Sequence, residues 1–233
     1  MSAIQHDPSM TQPTTLRYGA IVFDLDGTLV DSYAALAESV NYARREHGLG
    51  ALPEARIREF IGDGLDRLLQ RAFDQPDVPA SVVASFESRY DAICCSESMV
   101  LGEVEETIRT LHGLNVSMAV CTNKPTGFSR KILEYLQLSR YFQGIVGPDL
   151  AGARKPDPRH VRHALEMTGR TASEALFVGD MPIDVEAARN SGMDVAVVST
   201  GSGTPAALRS ARADHYLGRF SDLLTIVRNG DQS

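Results

Sequence analysis

Two aspartates at the end of an apolar run are the residues of this sequence best placed to do chemistry. Asp24 and Asp26 follow the apolar residues 21–23 and precede Gly27. Such a run favours a buried strand of a parallel sheet, and because side chains alternate along a strand, the two carboxylates share a face if the extended geometry continues through both. Open α/β sheets bind ligands at the carboxyl ends of their strands. Two carboxylates this close repel each other, so a metal ion, a proton or a cationic group is expected beside them.

The five residues from Asp24 to Thr28 form a more specific pattern than the aspartate pair alone. An isolated Asp-x-Asp is more often the end of a strand followed by a turn cap. Asp-Leu-Asp-Gly-Thr after an apolar run resembles the first motif of the haloacid dehalogenase superfamily, most of whose members are Mg²⁺-dependent phosphatases. The resemblance predicts three further motifs downstream, in a fixed order.

The next two motifs have candidates in Thr122 and Lys155. The resemblance implies that the Thr122 hydroxyl binds the transferring phosphoryl group, although a threonine after a strand is usually a turn or helix cap when considered alone. Lys155 begins Lys-Pro-x-Pro, and the resemblance implies that it neutralises the nucleophile and the phosphate, a combination that requires a fixed cation. Asn123 is expected to fix the loop and contact substrate, and Lys124 either to meet an anion or to remain a solvated charge.

The fourth motif is a Gly-Asp pair with a second aspartate four residues after the first. Asp180 and Asp184 match it. The resemblance implies that Asp180 reaches the metal directly and that Asp184 binds it through water or orients Lys155. An acid in a first helical turn also suits the helix dipole, which gives Asp184 a purely structural explanation. Met181 stands where the family often carries Ser or Thr, a change that removes a supporting hydrogen bond but no ligand.

The resemblance also implies a reaction. Asp24 attacks phosphorus and forms an aspartyl-phosphate, while Asp26 gives a proton to the leaving alcohol and later takes one from water. The cofactor that the resemblance implies is Mg²⁺, expected to be bound by Asp24, Asp180 and the backbone carbonyl of Asp26, with Asp184 in the same metal site. Oxygen ligands of this kind suit Mg²⁺.

Phosphoglycolate phosphatases are the nearest resemblance within the superfamily. It rests on the segments 60–65, 71–73 and 122–126. We therefore expect a small phosphorylated metabolite as substrate, with 2-phosphoglycolate as the most specific hypothesis. Gly62 and Asp63 are expected to lie in a loop that enters the site and binds substrate, although an ordinary turn between helices explains them equally well.

The order of the elements predicts an α/β fold. Strands and helices alternate after residue 104, which indicates a Rossmann-like, three-layer core with a central parallel sheet. Residues 32–100 read as helical without a convincing strand and are assigned to an inserted all-helical cap, of the type that the family calls C1. The core is then 17–31 and 101–233, and residues 1–16 are expected to be a disordered tail.

Composition excludes several classes of protein. The chain has 233 residues, 43% of them hydrophobic, and a net charge of −7, which argues against a general nucleic-acid binder. It contains no apolar run long enough for a membrane span and no signal-peptide pattern, so a cytoplasmic protein is expected. Its three cysteines have no metal-ligand spacing and read as reduced thiols, with Cys121 a small buried side chain. Whether the protein is a monomer or a homodimer stays open.

Several alternatives share these motifs. A haloacid dehalogenase does not need an acid at position 26, so Asp26 favours phosphoryl chemistry. A β-phosphoglucomutase-like phosphomutase and a pyrophosphatase would keep every motif. A catalytically silent binding module would be expected to have lost Asp24, Asp26 or Lys155, and all three are present.

Overall fold

A six-stranded parallel sheet forms the centre of the molecule. The computed structural model describes residues 16–228, so the predicted tail lies outside the described residues except for Leu16, which packs against the core. The strands are β1 (Ala20–Phe23), β2 (Val30–Asp31), β3 (Met99–Val100), β4 (Ser117–Cys121), β5 (Gly144–Val146), β6 (Ala175–Gly179), β7 (Asp194–Val197) and β8 (His215–Tyr216). The sheet order is β5-β4-β1-β6-β7-β8, which confirms the predicted parallel α/β core.

Helices cover both faces of the sheet and form the insert. They are α1 (Tyr33–Glu46), α2 (Glu54–Arg58), α3 (Leu65–Phe73), α4 (Ala80–Ile93), α5 (Val104–Gly113), α6 (Thr126–Tyr135), α7 (Pro148–Ala151), α8 (Pro158–Met167), α9 (Pro182–Asn190), α10 (Pro205–Ala211) and α11 (Leu223–Arg228). The sequence pattern does not indicate α7 and α10, which are short and begin at a proline. Proline fits the first helical position because the N–H that it lacks has no partner there. None of the described helices has the length and apolar composition needed to cross a membrane.

The central strand β1 is buried on both faces, which explains its uninterrupted apolar sequence. Ile21 and Phe23 pack into one hydrophobic cluster, and Ala20 and Val22 pack into another on the opposite side of the sheet. All four are fully buried. Burying a large aliphatic or aromatic side chain contributes about 1.5–3 kcal/mol, so this strand anchors both layers and fixes the position of the residues that follow it.

The insert joins the core through a two-stranded ribbon. Strands β2 and β3 pair antiparallel, with Val30 opposite Val100 and Asp31 opposite Met99. The expectation that residues 32–100 contain no strand is therefore wrong at Met99–Val100. A strand of two residues carries too little alternation to be recognised from sequence. Between these strands, α1 packs along α4, and the four helices α1–α4 lie over the carboxyl edge of the sheet.

Candidate active site

The predicted site residues meet because three neighbouring strands end at the same edge. Strand β1 lies between β4 and β6, and Asp24, Thr122 and Asp180 directly follow these three strands. The Asp24 N–H still donates to Val178 O at 2.9 Å, and the Thr122 N–H donates to Val146 O at 3.1 Å. All three side chains are buried. The parallel sheet therefore brings Asp24 and Asp180 together, although they are 156 positions apart in the sequence.

Asp26 reaches the site from a turn. Strand β1 ends at Phe23, and the chain reverses at Gly27, whose φ is +86°. The extended geometry therefore does not continue through both aspartates, yet both line the same cavity. A Cβ at residue 27 would overlap the Tyr33 hydroxyl and lie 2.9 Å from Asp180 Oδ2, so only glycine fits this turn.

Lys155 is the cation at the centre of the site. Its side chain is 1% exposed, and Nζ lies 2.7 Å from Asp24 Oδ1 and 2.7 Å from Asp184 Oδ1. Asp184 Oδ2 accepts hydrogen bonds from the N–H groups of Asp180 at 3.1 Å and Met181 at 3.0 Å. Asp184 thus holds both the lysine and the loop after β6, which agrees with the role of orienting Lys155.

Lys124 is a second buried cation. It forms an ion pair with Asp26 Oδ1, and the Ser32 hydroxyl donates to the same oxygen. Burial alone would lower the pKa of Lys124, but the charges and hydrogen bonds of Asp26 and Tyr90 together outweigh burial and raise this pKa above the usual lysine range. The alternative that Lys124 is a solvated charge is therefore wrong. Within the described residues, Asp26 Oδ2 makes no hydrogen bond.

Asn123 fixes the loop after β4, as expected. Its Nδ2 donates to Gly62 O at 3.0 Å and to Lys155 O at 3.3 Å, and its Oδ1 accepts from the Lys155 N–H at 2.8 Å. The same amide therefore ties the insert to the core. Gly62 lines the cavity, whereas the Asp63 carboxylate pairs with Arg71 and does not line it. The structure brings Gly62 but not Asp63 to the site, since Arg71 draws the Asp63 side chain away.

Sequence reasoning missed three supports of Asp180. Thr28 Oγ1 donates to Asp180 Oδ1 at 2.9 Å, and the Ser202 N–H donates to Asp180 Oδ2 at 3.0 Å. Arg58 of the insert holds the loop before Ser202 through 3.0 Å hydrogen bonds to the carbonyls of Thr200 and Gly201. Because Thr28 lies in the first motif, the sequence does indicate that it belongs to the site. Nothing in the sequence links Arg58 to a loop more than 140 positions away.

Comparison with known proteins identifies the family. The model of the haloacid dehalogenase-like hydrolases matches residues 21–198, which is most of the chain and includes every candidate catalytic residue. The chain belongs to this family.

The relatives of this hydrolase are phosphatases. It is 34% identical to a phosphoglycolate phosphatase of Pectobacterium atrosepticum over 94% of this chain and 95% of the relative. It is 35% identical to a phosphoglycolate phosphatase of Caulobacter vibrioides over 89% of this chain and 90% of the relative. A crystal structure of a predicted phosphoglycolate phosphatase from Haemophilus somnus superposes with a TM-score of 0.84 at 29% identity, covering 94% and 99% of the two chains. The protein is thus a phosphomonoester hydrolase that acts on a small phosphorylated substrate.

The charge of this hydrolase's site fits a divalent cation. Ligand oxygens of three buried aspartates, Asp24, Asp180 and Asp184, lie within 4.8 Å of one another. Burial raises the pKa of Asp24 to about 6 against the opposing effect of Lys155, and burial and the neighbouring carboxylates raise the pKa of Asp180 well above its usual value. Together with Asp26, these carboxylates outnumber the two lysines by two charges. An oxygen-rich, buried site with two excess negative charges suits a divalent metal ion.

Proposed function

We propose that this protein is a Mg²⁺-dependent phosphatase that hydrolyses 2-phosphoglycolate through an aspartyl-phosphate intermediate. The observation that carries the proposal is the placement of Asp24 between the Lys155 ammonium and the acidic cluster, with Asp26 on the same cavity. A nucleophile, a fixed cation and a separate acid are the three parts that this chemistry requires.

In the first step, the Asp24 oxygen that Lys155 does not hold, Oδ2, attacks phosphorus. The new bond joins Asp24 to phosphorus, and the bond from phosphorus to the leaving oxygen breaks. Protonated Asp26 gives its proton to that oxygen, so the leaving group departs as an alcohol. Lys124 and Ser32 hold Asp26 Oδ1, which leaves Oδ2 for the proton.

In the second step, water attacks phosphorus and releases phosphate from Asp24. Asp26 takes the proton of this water and is ready for another cycle. Thr122 Oγ1 accepts the Lys124 N–H at 3.2 Å, so its own hydrogen is free to donate to a phosphoryl oxygen. Lys155 neutralises Asp24 before the attack and the phosphoryl group afterwards. Removing one such donor typically costs about 3 kcal/mol in the transition state.

The metal proposed for this site is Mg²⁺, held by Asp24, Asp180 and the backbone carbonyl of Asp26. When bound, it supplies positive charge to the phosphoryl oxygens. Asp184 already accepts hydrogen bonds from Lys155 and from two backbone N–H groups. Asp184 would therefore serve the metal site by holding Lys155 and the loop that carries Asp180, rather than as a direct ligand.

We further propose that residues 32–100 act as a cap on the core formed by 17–31 and 101–233. Three contacts support a closed arrangement: Asn123 with Gly62, Arg58 with the carbonyls of Thr200 and Gly201, and Arg154 with Asp66 at 2.8 Å. Closure excludes water other than the attacking molecule.

The unpaired thiols of Cys94, Cys95 and Cys121 support a cytoplasmic location.

Phosphate release from a panel of phosphomonoesters led by 2-phosphoglycolate tests the function. We expect release that requires Mg²⁺, is abolished by EDTA and falls at least about 1,000-fold in Asp24→Asn, with exposed Asp77→Asn as the matched control. A preference of at least about tenfold for 2-phosphoglycolate is expected. Preference for another monoester would reject that substrate but keep the chemistry. Sugar-phosphate isomerisation without phosphate release would instead show a phosphomutase.

A further inference from the structure

The cavity beside Asp24 and Asp26 is small and mostly apolar. Its volume is about 50 Å³, room for a few water molecules at about 10–15 Å³ each. Its apolar walls come from the insert and from the loop and helix after β4; they are Leu36, Ile61, Leu65, Leu68, Phe86, Pro125 and Phe128. With the insert closed, the cavity admits only a leaving group of a few heavy atoms.

Two polar groups stand out on this lining. The Tyr90 hydroxyl is fully buried and has no hydrogen-bond partner within the described residues. The Lys124 ammonium lies 5.2 Å from the centre of the Tyr90 ring. An ammonium has three donors, of which Asp26 and Ser32 occupy two. The third Lys124 hydrogen faces the Tyr90 hydroxyl oxygen, so the hydrogen of that hydroxyl is the donor available to an acceptor in the cavity, with the Lys124 charge beside it.

We propose that Tyr90 and Lys124 form a subsite for a carboxylate on the leaving group of the substrate. The inference rests on the proposed phosphatase function and deepens it, because it names the residues that select a phosphorylated hydroxy acid. Lys124 contacts Asp26, the acid that protonates the leaving oxygen, so the part of the substrate next to that oxygen lies beside Lys124. In 2-phosphoglycolate, that part carries the carboxylate.

Charge favours a carboxylate over other small groups. Lys124 is the only basic side chain among the described residues that line the cavity. Lys155 is held between Asp24 and Asp184 and serves the phosphoryl end. Burial raises the pKa of Tyr90 to about 12, so its hydroxyl keeps its proton and can donate. A neutral alkyl group would leave that buried hydroxyl without an acceptor, whereas a carboxylate oxygen satisfies it.

The Tyr90 ring is fixed before any ligand enters. It stacks on Phe86 with ring centres 5.5 Å apart and meets Phe128 edge-on at 5.0 Å. These two contacts therefore hold the Tyr90 hydroxyl in the same position whether or not a ligand accepts its hydrogen bond. A Phe at this position retains both ring contacts, so Tyr90→Phe removes the donor with little change in packing.

The test compares 2-phosphoglycolate with ethyl phosphate, which has a similar length but no carboxylate. In the intact protein, kcat/KM is expected to favour 2-phosphoglycolate. In Tyr90→Phe, the ratio of the two kcat/KM values should fall about tenfold or more, mainly through KM for 2-phosphoglycolate. Tyr135→Phe, at a tyrosine that is 60% exposed, is the matched control and should keep the ratio. An unchanged ratio in Tyr90→Phe would overturn the subsite.

Glycolate binding separates this inference from the proposed function. Isothermal titration calorimetry with Mg²⁺ present should show glycolate binding to the intact protein and at least about tenfold weaker binding to Tyr90→Phe. Ethanol is the control ligand without a carboxylate. Weakened glycolate binding without turnover of any monoester would support the subsite and reject the phosphatase. Turnover of monoesters together with equal glycolate binding by both proteins would support the phosphatase and reject the subsite.

Discussion

At the scale of single residues, the site depends on a buried lysine shared by two carboxylates. Lys155 is almost fully buried and pairs with both Asp24 and Asp184. Burying three charges is costly, and their mutual attraction offsets that cost only while all partners are present. Removing the lysine leaves two like charges facing each other without water. The lysine that we propose to neutralise Asp24 during the reaction is thus also one that the fold depends on.

Lys155→Met is therefore expected to destabilise the protein as well as inactivate it. Breaking a buried ion pair typically costs 3–5 kcal/mol in the free energy of unfolding. The matched control is Lys131→Met, because Lys131 pairs with Asp91 at an exposed position, where such pairs contribute at most about 1 kcal/mol. Urea unfolding without metal measures both variants. Equal stability of the two would contradict the role given to Lys155.

A buried histidine gives the stability a pH dependence of its own. His160 Nε2 donates to Val146 O at 3.1 Å, and Nδ1 has no partner within the described residues. Burial, together with the positive charge of Lys155, lowers the pKa of His160 to about 4. Between pH 4 and 6.5 the unfolded chain therefore binds a proton that the folded chain does not. The His160 contribution to stability is complete above about pH 6.5 and is lost as the pH falls.

The difference in the free energy of unfolding between the intact protein and His160→Gln should therefore change between pH 4 and pH 6.5. Urea unfolding at pH 4.5 and pH 7 should show that the pH-dependent loss is smaller in the variant by up to about 3 kcal/mol. His163→Gln, a half-buried residue on the same helix, is the control. Parallel stability curves for the intact protein and His160→Gln would show that His160 does not titrate as its burial predicts.

At the scale of elements, the sequence predicts the strands and their terminal residues better than the contacts across the cavity. Apolar runs predict β1, β4 and β6, and the motifs after these runs predict that Asp24, Thr122 and Asp180 follow the strands directly, as they do in the structure. These positions can be predicted because a buried parallel strand needs a continuous apolar sequence. Met181 illustrates the limit. From the sequence, methionine at position 181 is expected to remove a hydrogen bond that Ser or Thr would make. In the structure, Ser202 Oγ donates to Met181 Sδ at 3.3 Å, and the Met181 side chain fills the space beside Gly62.

Contacts between insert and core join residues far apart in the sequence, and no local pattern encodes them. Arg58 is a clear case: one guanidinium binds the carbonyls of Thr200 and Gly201 and stacks on the Tyr33 ring, with 3.9 Å between Arg58 Cζ and the ring centre. Neither helical periodicity nor a motif marks this residue. The contact joins the insert to the loop that holds Asp180.

Arg58→Ala should therefore weaken closure of the insert. We expect kcat/KM to fall about five- to twentyfold, with KM rising, because the loss of a charged hydrogen bond costs about 1–2 kcal/mol. Arg67→Ala is the matched control, since Arg67 is an exposed helical arginine whose side chain hydrogen-bonds only to Gln70 among the described residues. A fall in thermal stability without any change in kcat/KM would assign Arg58 to folding alone.

At the scale of the whole molecule, the fold concentrates negative charge where the sheet, the insert and the loop after β7 converge. Asp24 and Asp180 both have raised pKa values, chiefly because burial disfavours their charged forms. In the metal-free protein, the contribution of Asp24 to stability therefore falls as the pH rises from about 4 to about 6, since the folded state holds a proton that the unfolded state releases. A divalent cation bound by these carboxylates would remove this penalty, because it would pair with their ionised forms.

Mg²⁺ should consequently stabilise the protein, and more strongly above pH 6 than below pH 5. At a free concentration 100 times its Kd, a ligand that binds only the folded state adds about 2.7 kcal/mol, which corresponds to a rise in Tm of roughly 5–10 °C for a chain of this size. Asp180→Asn should lose most of this rise, and the exposed Asp77→Asn should keep it. Differential scanning calorimetry at pH 4.5 and pH 7.5 measures both effects. A rise of equal size at the two pH values would mean that Mg²⁺ acts away from the buried carboxylates, because only their ionisation links the metal to pH in this range.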